Sequence, residues 1–278
     1  MTIAVTGATG QLGRLAIAAL QRRGVTPIAL ARSPDKGADL GVPVRAFDYD
    51  APDPAALAGV DTLVLISASV PGMRLTQHRA AIAAARAAGV KQIIYTSLLK
   101  ADTGGMILAE EHVATEAELK ASGIPTTVLR NGWYFENQTA GLKGAVAAGA
   151  LIGASGSGRI SGAARADFAE AIAAVASGTG HEGKVYELAG DDANSAADLA
   201  AEVSRQTGKT ISYNDMPLDQ YAAALQSFGL PEAIAGILAD SDVQASKGAL
   251  FDDSHTLSRL IGRPTTPLSD AVAVALKG

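Results

Sequence analysis

Short apolar runs alternate with amphipathic segments along most of the chain. Residues 2–6 form such a run, and after a group of glycines apolar residues recur at helical spacing from Leu12 to Leu20. A short apolar run bounded by Gly or Pro predicts a strand, whereas a repeat of three to four residues predicts a helix. The chain is therefore expected to begin with a strand, a tight turn and a helix that ends at Gly24.

The same alternation continues through the first half of the chain. It predicts strands at 27–32, 42–47, 61–67, 92–97 and 126–130, and helices at 73–88, 109–121 and from about residue 136. Strands that are apolar on both faces and alternate with helices are typical of a parallel sheet covered on both sides. We expect an α/β fold, a doubly wound parallel Rossmann sheet with six or seven strands before residue 150.

The second half begins with a Gly- and Ser-rich stretch at residues 153–162. Helices are predicted at 167–176 and 195–207 and strands at 184–188 and 210–213. We expect residues 1–150, with returning segments near 160–190, to form the Rossmann domain, and residues 191–278 to form a smaller, mainly helical lobe over the substrate groove. The residues Asp240, Ser241 and Asp242 are expected to cap the start of a helix.

A glycine-rich segment lies where the first strand turns into the first helix. It consists of Gly7, Ala8, Thr9, Gly10, Gln11, Leu12 and Gly13. Backbone N–H groups at such a turn, together with the helix dipole, bind a pyrophosphate, and the glycines permit the turn, the approach of the phosphates and close helix packing. The segment predicts a dinucleotide site at residues 1–150. The alternative is a glycine-rich turn that holds no nucleotide.

The end of the second strand indicates which dinucleotide is preferred. NAD-selective sites carry an acidic residue there, but this strand ends in Arg32. A guanidinium matches the geometry of a 2′-phosphate, so we expect NADPH to be the cofactor, unless Arg32 is only a solvated surface charge. Asp48 and Tyr49 follow the third strand, where they either contact the adenine or form an exposed turn.

Small and hydroxyl residues follow the fourth and fifth strands. Ser67, Ala68 and Ser69 follow the fourth strand, and Thr96 and Ser97 end the fifth. Because ligands of open α/β sheets bind at the carboxyl edge, these residues are expected to line the nicotinamide half of the site. Hydroxyls at strand ends also serve as helix caps, and that alternative stays open.

Composition narrows the chemistry. The chain has 278 residues, a formal net charge of -5 and no cysteine, so thiolate nucleophiles and cysteine-based metal sites are excluded, and the four histidines have no metal-motif spacing. Its basic residues are scattered, which argues against nucleic acid as a partner. No apolar run reaches the roughly 20 residues that span a bilayer, and the N-terminus enters a strand at once. We expect a cytoplasmic protein without a metal or a membrane partner.

Several segments together resemble the NmrA-like, atypical short-chain dehydrogenase/reductases, and especially the bacterial type 2 NAD(P)H:quinone oxidoreductases. The similarity covers nearly the whole chain and is carried by residues 6–13, 95–99, 129–134, 136–137, 180–190, 239–242 and 250–254. The glycine motif alone indicates a dinucleotide fold, and the later segments point to the quinone reductase branch. The resemblance implies NADPH as cofactor, a small-molecule quinone as substrate, and a groove between the Rossmann domain and the C-terminal lobe.

The chain lacks the usual acid–base pair of short-chain reductases. Their catalytic Tyr is followed four positions later by Lys, whereas Tyr95 and Lys100 are five apart and no other Tyr has Lys at that spacing. Reduction of a quinone depends less on a proton donor in the enzyme, because the hydroquinone anion that forms has a phenol-like pKa of ~10. The missing pair therefore favours direct hydride transfer from NADPH to a quinone.

An amide-rich and aromatic segment follows the sixth strand. We expect it to close over the nicotinamide through Asn131, Gly132 and Trp133, and to orient a flat acceptor through Tyr134 and Asn137. Trp133 is equally compatible with a packing role.

Two other functions remain compatible with the sequence. One is a non-catalytic, NADP-binding redox sensor of the NmrA type. The other is a reductase of other flat conjugated acceptors such as triphenylmethane dyes or azo compounds, which a stacking pocket does not readily separate from quinones. The sequence also leaves a homodimer open.

Overall fold

Nine strands form two parallel sheets in the computed structural model, which describes residues 1–277. The strands are β1 Ile3–Val5, β2 Ile28–Ala31, β3 Val44–Ala46, β4 Thr62–Leu65, β5 Gln92–Leu98, β6 Thr126–Asn131, β7 Ala150–Gly153, β8 Val185–Leu188 and β9 Ser212–Asp215. The large sheet has the order β3-β2-β1-β4-β5-β6-β8, with every pair parallel. The expectation of a doubly wound Rossmann sheet is confirmed, with six strands before residue 150 and the seventh at β8.

Eleven helices occur in the part of the chain that the structure describes. They are α1 Gln11–Arg22, α2 Arg74–Ala87, α3 Glu110–Ser122, α4 Phe135–Thr139, α5 Leu142–Ala148, α6 Arg165–Ser177, α7 Ala196–Thr207, α8 Leu218–Ser227, α9 Glu232–Ser246, α10 Thr256–Ile261 and α11 Leu268–Lys277. Short 3-10 helices lie at Pro34–Leu40, Pro54–Leu57 and Ile107–Ala109. None of the helices within residues 1–277 combines the length and the apolar character needed to cross a bilayer.

Both faces of the large sheet are buried, as its continuous apolar strands require. One face packs against α1, α6 and α10, with Leu20, Phe168 and Leu257 fully buried in a common core. The other face packs against α2 and α3 through Ile82 and Leu119. The order of the strands reverses between β1 and β4, and in open α/β sheets ligands bind beyond the carboxyl ends of the strands at such a reversal.

The second half of the chain packs partly on itself and partly on the large sheet. β7 pairs with β9, and α5, α7 and α11 share a separate core with Leu142 and Val203 buried in it, although α5 begins before residue 150. In contrast, α10 contributes Leu257 to the main core. The end of α9 packs against Trp133 through Ala245 and Ala249, so the helical region covers the carboxyl edge of the sheet.

The expected helix cap at Asp240, Ser241 and Asp242 was wrong. The three residues lie inside α9 and are not at its start. The two aspartates accept hydrogen bonds from other elements. Asp240 accepts from the backbone N–H of Ile107 at 2.8 Å, and Asp242 accepts from the backbone N–H of Ala154 at 2.9 Å. Acidic side chains at helix starts also accept hydrogen bonds from backbone N–H groups. The sequence shows that these residues can accept such a bond, but it does not show that the donors belong to other elements.

Candidate functional site

A cleft of about 680 Å³ opens at the carboxyl edge of the large sheet. Its walls come from the ends of β1 to β6 and the segments that follow them, and from the helices α2, α3, α6 and α9. The predicted site residues that line it are Gly7, Thr9, Gly10, Gln11, Leu12, Gly13, Arg32, Asp48, Tyr49, Ser67, Ala68, Ser69, Thr96, Ser97, Asn131, Gly132, Trp133, Tyr134 and Asn137. The fold thus brings together every predicted site residue except Ala8.

The turn between β1 and α1 is built for close approach of an anion. Gly7 has a φ of 57°, and a Cβ on Gly13 would lie 2.2 Å from the carbonyl oxygen of Gly7. Gly10 precedes α1 without any side-chain cap, and the first turn of the helix carries no acidic residue. The first-turn N–H groups of α1 have no intrahelical acceptor, so they are available to an anionic group in the cleft.

Ala8 lies behind the wall of the cleft. Its side chain is fully buried in the core beside Leu12, and its backbone N–H donates to the carbonyl oxygen of Leu30 at 3.2 Å. Because that N–H already has an acceptor, it is not free for a phosphate. Ala8 therefore stabilises the junction of β1 and β2, although Gly7 and Thr9 on either side of it line the cleft.

Two cationic side chains stand at the β2 end of the cleft. Arg32 is exposed and lines the cleft directly after β2, and Lys36 lines it one turn further along the chain. Neither side chain donates a hydrogen bond to residues 1–277. Sequence reasoning found Arg32 and missed Lys36, which lies in the 3-10 helix Pro34–Leu40 that follows β2.

Tyr49 and Gln77 form part of the wall beside this cationic end. The Tyr49 hydroxyl makes hydrogen bonds to Thr6 Oγ1 at 2.6 Å and to the carbonyl oxygen of Ile66, so Tyr49 is anchored inward and is not an exposed turn residue. Burial raises the pKa of this phenol above its usual range. Gln77 donates through Nε2 to Asp50 Oδ1 at 2.7 Å.

The hydroxyl side chains near the end of β5 connect this strand to the segment after β4 and to α3. Thr96 Oγ1 accepts from the backbone N–H of Ser67 at 2.9 Å, and Ser97 Oγ donates to Glu116 Oε1 at 2.6 Å. Neither residue caps a helix in the structure. Glu116 also pairs with the buried Arg130, so Ser97 is connected to a charge cluster beside the cleft.

His78 stabilises the loop after β4 through a hydrogen bond to its backbone. Its Nε2 accepts from the backbone N–H of Ala68 at 2.9 Å, and its Nδ1 lies 2.9 Å from Thr115 Oγ1. The Thr115 hydroxyl donates to the carbonyl oxygen of Glu111, so the Nδ1 proton of His78 must be the donor to Thr115. Burial lowers the pKa of His78 to about 3, and both of its ring nitrogens are occupied.

The segment after β6 forms the opposite wall. Asn131 donates through Nδ2 to the Tyr134 hydroxyl at 3.3 Å. The guanidinium of Arg165 lies 4.8 Å above the centre of the Tyr134 ring and donates to Asn137 Oδ1 at 2.7 Å. Arg165 therefore lines the cleft and joins Tyr134 to Asn137.

The part of the cleft beyond β5 and β6 is largely apolar, and we call it the acceptor end. It is lined by Leu108, His112, Trp133, Ile234, Ile237 and Leu238. Trp133 packs in a cluster with Leu98 and Leu250 while one side of its ring borders the cleft, so it serves packing and site at once. Sequence reasoning missed His112 and the α9 residues, since nothing in their local sequence shows that distant elements meet here.

Two buried acceptor atoms in the cleft wall have no hydrogen-bond donor among residues 1–277. They are Gln77 Oε1 and Asn131 Oδ1. Buried polar atoms without a partner are rare, and each implies a ligand or water that completes it. A dinucleotide carries an amide and an exocyclic amine that donate hydrogen bonds, and phosphates that fit the cationic end. The residues present therefore fit NADPH.

Comparison with known proteins gives concordant matches over the whole chain. Residues 7–178 match the protein family described as NAD(P)H-binding. The chain is 53% identical to quinone oxidoreductase 2 of Escherichia coli over 98% of this chain and 97% of that protein. A crystal structure of an NADPH-dependent quinone oxidoreductase from Escherichia coli, complexed with NADPH, has a TM-score of 0.95 at 52% identity and covers 99% of this chain and 100% of that one. Triphenylmethane reductase of a Citrobacter species has a TM-score of 0.92 at 36% identity, with all of both chains covered.

Proposed function

This chain belongs to the NAD(P)H-binding family, and we propose that it is an oxidoreductase that reduces quinones by two electrons with NADPH. The observation that carries the proposal is a single cleft that joins a cationic, glycine-lined end to an apolar acceptor end. The similarity to an Escherichia coli quinone oxidoreductase over nearly the full length supports the same substrate class. In this proposal the acceptor is a small molecule and the activity is cytoplasmic. All of the residues that hold the cofactor and the acceptor come from one protein chain.

Each part of the cofactor has a matching group in the cleft. The N–H groups at the start of α1 hold the pyrophosphate, and Arg32 and Lys36 hold the 2′-phosphate. Gln77 Oε1 accepts from the adenine, and Asn131 Oδ1 accepts from the carboxamide. When bound, NADPH supplies a hydride that the protein itself cannot provide, because none of its side chains is a two-electron donor.

The structure of the acceptor end agrees with a substrate that needs no strong acid. The Tyr95 side chain is fully buried and does not line the cleft, and Lys100 Nζ donates to the carbonyl oxygen of Gly248 at 3.1 Å. No Tyr–Lys pair therefore faces the acceptor. A quinone carbonyl suits this site because its reduced form is a stabilised phenolate-type anion, whereas an alkoxide requires a positioned proton donor.

Tyr134 and Asn137 position the acceptor in this proposal. Arg165 stacks on the Tyr134 ring and bonds to Asn137, so the two side chains form one wall with restricted movement. A flat aromatic wall favours a flat conjugated acceptor over a flexible one. Neither residue is required to transfer a proton.

The proposal is tested by following NADPH and NADH oxidation with a benzoquinone or a naphthoquinone, after subtraction of the uncatalysed reaction. We expect turnover with NADPH strongly preferred. In Arg32→Ala, and further in Arg32→Ala with Lys36→Ala, the preference for NADPH over NADH should fall by roughly 10- to 100-fold, because a charge-assisted contact to the 2′-phosphate is lost.

Arg23→Ala is the matched control, since Arg23 is an exposed arginine that does not line the cleft. It should leave the cofactor preference unchanged. Tight NADPH binding without turnover of any quinone would instead support a redox sensor. A parallel assay with a triphenylmethane dye and an azo dye separates the quinone reductase from a dye reductase, and faster turnover of a dye would favour that second function.

A further inference from the structure

His112 stands at the acceptor end with one ring nitrogen uncommitted. It lies on α3 one helical turn after Leu108, is 6% exposed and lines the cleft. Its Nδ1 is 2.8 Å from the Tyr95 hydroxyl. Its Nε2 makes no hydrogen bond to any residue in 1–277, in contrast to both ring nitrogens of His78. A buried imidazole with one open nitrogen beside an apolar pocket is suited to contact a ligand.

The hydrogen bond with Tyr95 determines which nitrogen carries the proton. Tyr95 is completely buried, and its hydroxyl lies 2.8 Å from Nδ1 of His112, with the hydroxyls of Thr115 and Ser67 also nearby. A buried phenol proton needs an acceptor, and an imidazole nitrogen is a stronger acceptor than a hydroxyl oxygen, which assigns that role to Nδ1 of His112. Nδ1 is then unprotonated, and the proton of the neutral imidazole lies on Nε2.

Resting on the proposed quinone reduction, we propose that the Nε2–H of His112 donates a hydrogen bond to the quinone oxygen on which negative charge develops. His112 is then a catalytic residue, and Tyr95 is a positioning residue that fixes its tautomer. A preorganised donor in a water-poor site stabilises such a charge more than water does. It also selects acceptors that carry a carbonyl oxygen at that point.

The electron and proton balance of the step is complete without an acid on the protein. The quinone takes up a hydride with both of its electrons, NADPH is oxidised to NADP⁺, and the hydroquinone monoanion forms. His112 keeps its proton while it donates the hydrogen bond, and the anion takes its proton from water. Burial and the nearby positive charge of Arg74 hold the pKa of His112 well below its usual range, so the neutral form is present at neutral pH.

The test compares kcat, KM and NADPH affinity in three proteins with a benzoquinone: wild type, His112→Gln, and His112→Leu combined with Tyr95→Phe. The double variant removes the donor without leaving the Tyr95 hydroxyl unpaired. We expect it to lower kcat by about 10- to 100-fold with an unchanged NADPH Kd, at the lower end of what loss of one such donor costs. His112→Gln keeps an N–H donor and should recover part of kcat.

A second Tyr–His pair in the chain provides the matched control. His181 Nδ1 lies 2.8 Å from the Tyr186 hydroxyl, and neither residue lines the cleft. His181→Leu combined with Tyr186→Phe should keep the wild-type kcat. A readout that does not depend on activity is the ¹⁵N NMR spectrum of histidine-labelled protein, in which His112 should show protonated Nε2 and unprotonated Nδ1.

The outcomes separate this inference from the proposed function. Quinone turnover by the wild type with the same kcat in the His112 double variant would overturn the inference alone. A protonated Nδ1 on His112 would also overturn it. Absence of quinone turnover in the wild type would overturn the proposed function, and the role of His112 with it.

Discussion

His78 shows how a single buried side chain links the site to the stability of the fold. Its ring is fully buried, and its Nε2 accepts a hydrogen bond from the backbone N–H of Ala68 in the loop that borders the cleft. The pKa of His78 is about 3 in the folded protein and near 6.5 in an unfolded chain. The folded state therefore binds a proton less readily than the unfolded state, and the resulting stability is complete above pH 6.5 and declines as the pH falls toward 3.

We expect the free energy of unfolding to fall by up to about 2 kcal/mol from His78 alone between pH 7.5 and pH 5. Urea titrations at both pH values measure it. His78→Gln is the comparison, because an amide can replace both hydrogen bonds without a charge that titrates in this range. The carboxylates of the chain with lowered pKa values, such as Asp102, lose their contribution only at lower pH. An equal loss in His78→Gln would contradict the prediction.

The residues that sequence reasoning found share a local cause. Gly7, Gly10, Gly13 and Arg32 follow directly from the strands whose ends they mark, so their position is determined by a few neighbouring residues. The position of the proton on His112 depends on Tyr95, which is 17 residues away, and that on His78 depends on Ala68 and Thr115. Side-chain protonation is set by such contacts and cannot be inferred from spacing.

At the scale of secondary-structure elements, α9 connects the second half of the chain to the acceptor end. It contributes Ile234, Ile237 and Leu238 to the wall. The Asp240 carboxylate in its interior accepts from the N–H of Ile107 at 2.8 Å and from Gln244 at 3.1 Å. This link fixes the helix against the short 3-10 turn that leads into α3 and His112. The geometry of the acceptor end thus depends on one carboxylate that touches no ligand.

Asp240→Ala should raise the KM for a quinone while the NADPH Kd stays close to that of the wild type. The substitution leaves the N–H of Ile107 without its partner, which costs on the order of 1–3 kcal/mol, and it loosens one wall of the acceptor end only. Steady-state kinetics and a cofactor titration measure the two quantities. Asp219→Ala, an exposed acidic residue in the first turn of α8, serves as the control. Equal weakening of quinone and NADPH binding would argue against this division.

The elements themselves were largely predictable, whereas their contacts were not. Gly and Pro bound most of the strands and helices, so predicted and observed limits differ by only a few residues. The strand β7, the 3-10 helix Ile107–Ala109 and the separation of α4 from α5 were not predicted, because none has a periodic pattern long enough to detect, and the limits of α8 to α11 were not predicted individually. The acidic residues of α9 were misassigned because their partners lie about 90 to 130 residues earlier in the chain.

At the scale of the whole molecule, the two halves of the chain share their cores. Leu257 of α10 is buried with Leu20 and Phe168 against the large sheet. The only tryptophan, Trp133, packs with Ala245 at the end of α9 and with Ala249 just after it. Removal of the second half would expose these surfaces. The helical region is therefore part of the same packed structure as the sheet.

We expect the chain to unfold in urea as one cooperative unit. Trp133 fluorescence reports the contact between the sheet and α9, and far-UV circular dichroism reports all helices. The two signals should give the same midpoint and the same m-value, because the shared cores make separate unfolding costly. A fluorescence transition at distinctly lower urea would show that the helical region detaches first. NADPH at saturation should move both transitions together.

The overall architecture was predicted from sequence with one general limit. The parallel sheet follows from repeated strand–helix units, whose order is constrained by short right-handed crossovers. The pairing of β7 with β9 joins segments about 60 residues apart, and the short strands involved carry little pattern. Packing between distant segments depends on the whole chain. The sequence of residues 191–278 alone therefore does not show which earlier segments pack with them.

The cleft described above is assembled from two groups of elements that are separated across the sheet. The cationic end belongs to β1, α1 and β2, whereas the acceptor end belongs to β5, β6, α3 and α9. Such a division allows descendants or redesigned variants to exchange the oxidant they accept while they retain their source of reducing power. The residues Ile234, Ile237 and Leu238, all on one helix, form the natural place for that exchange.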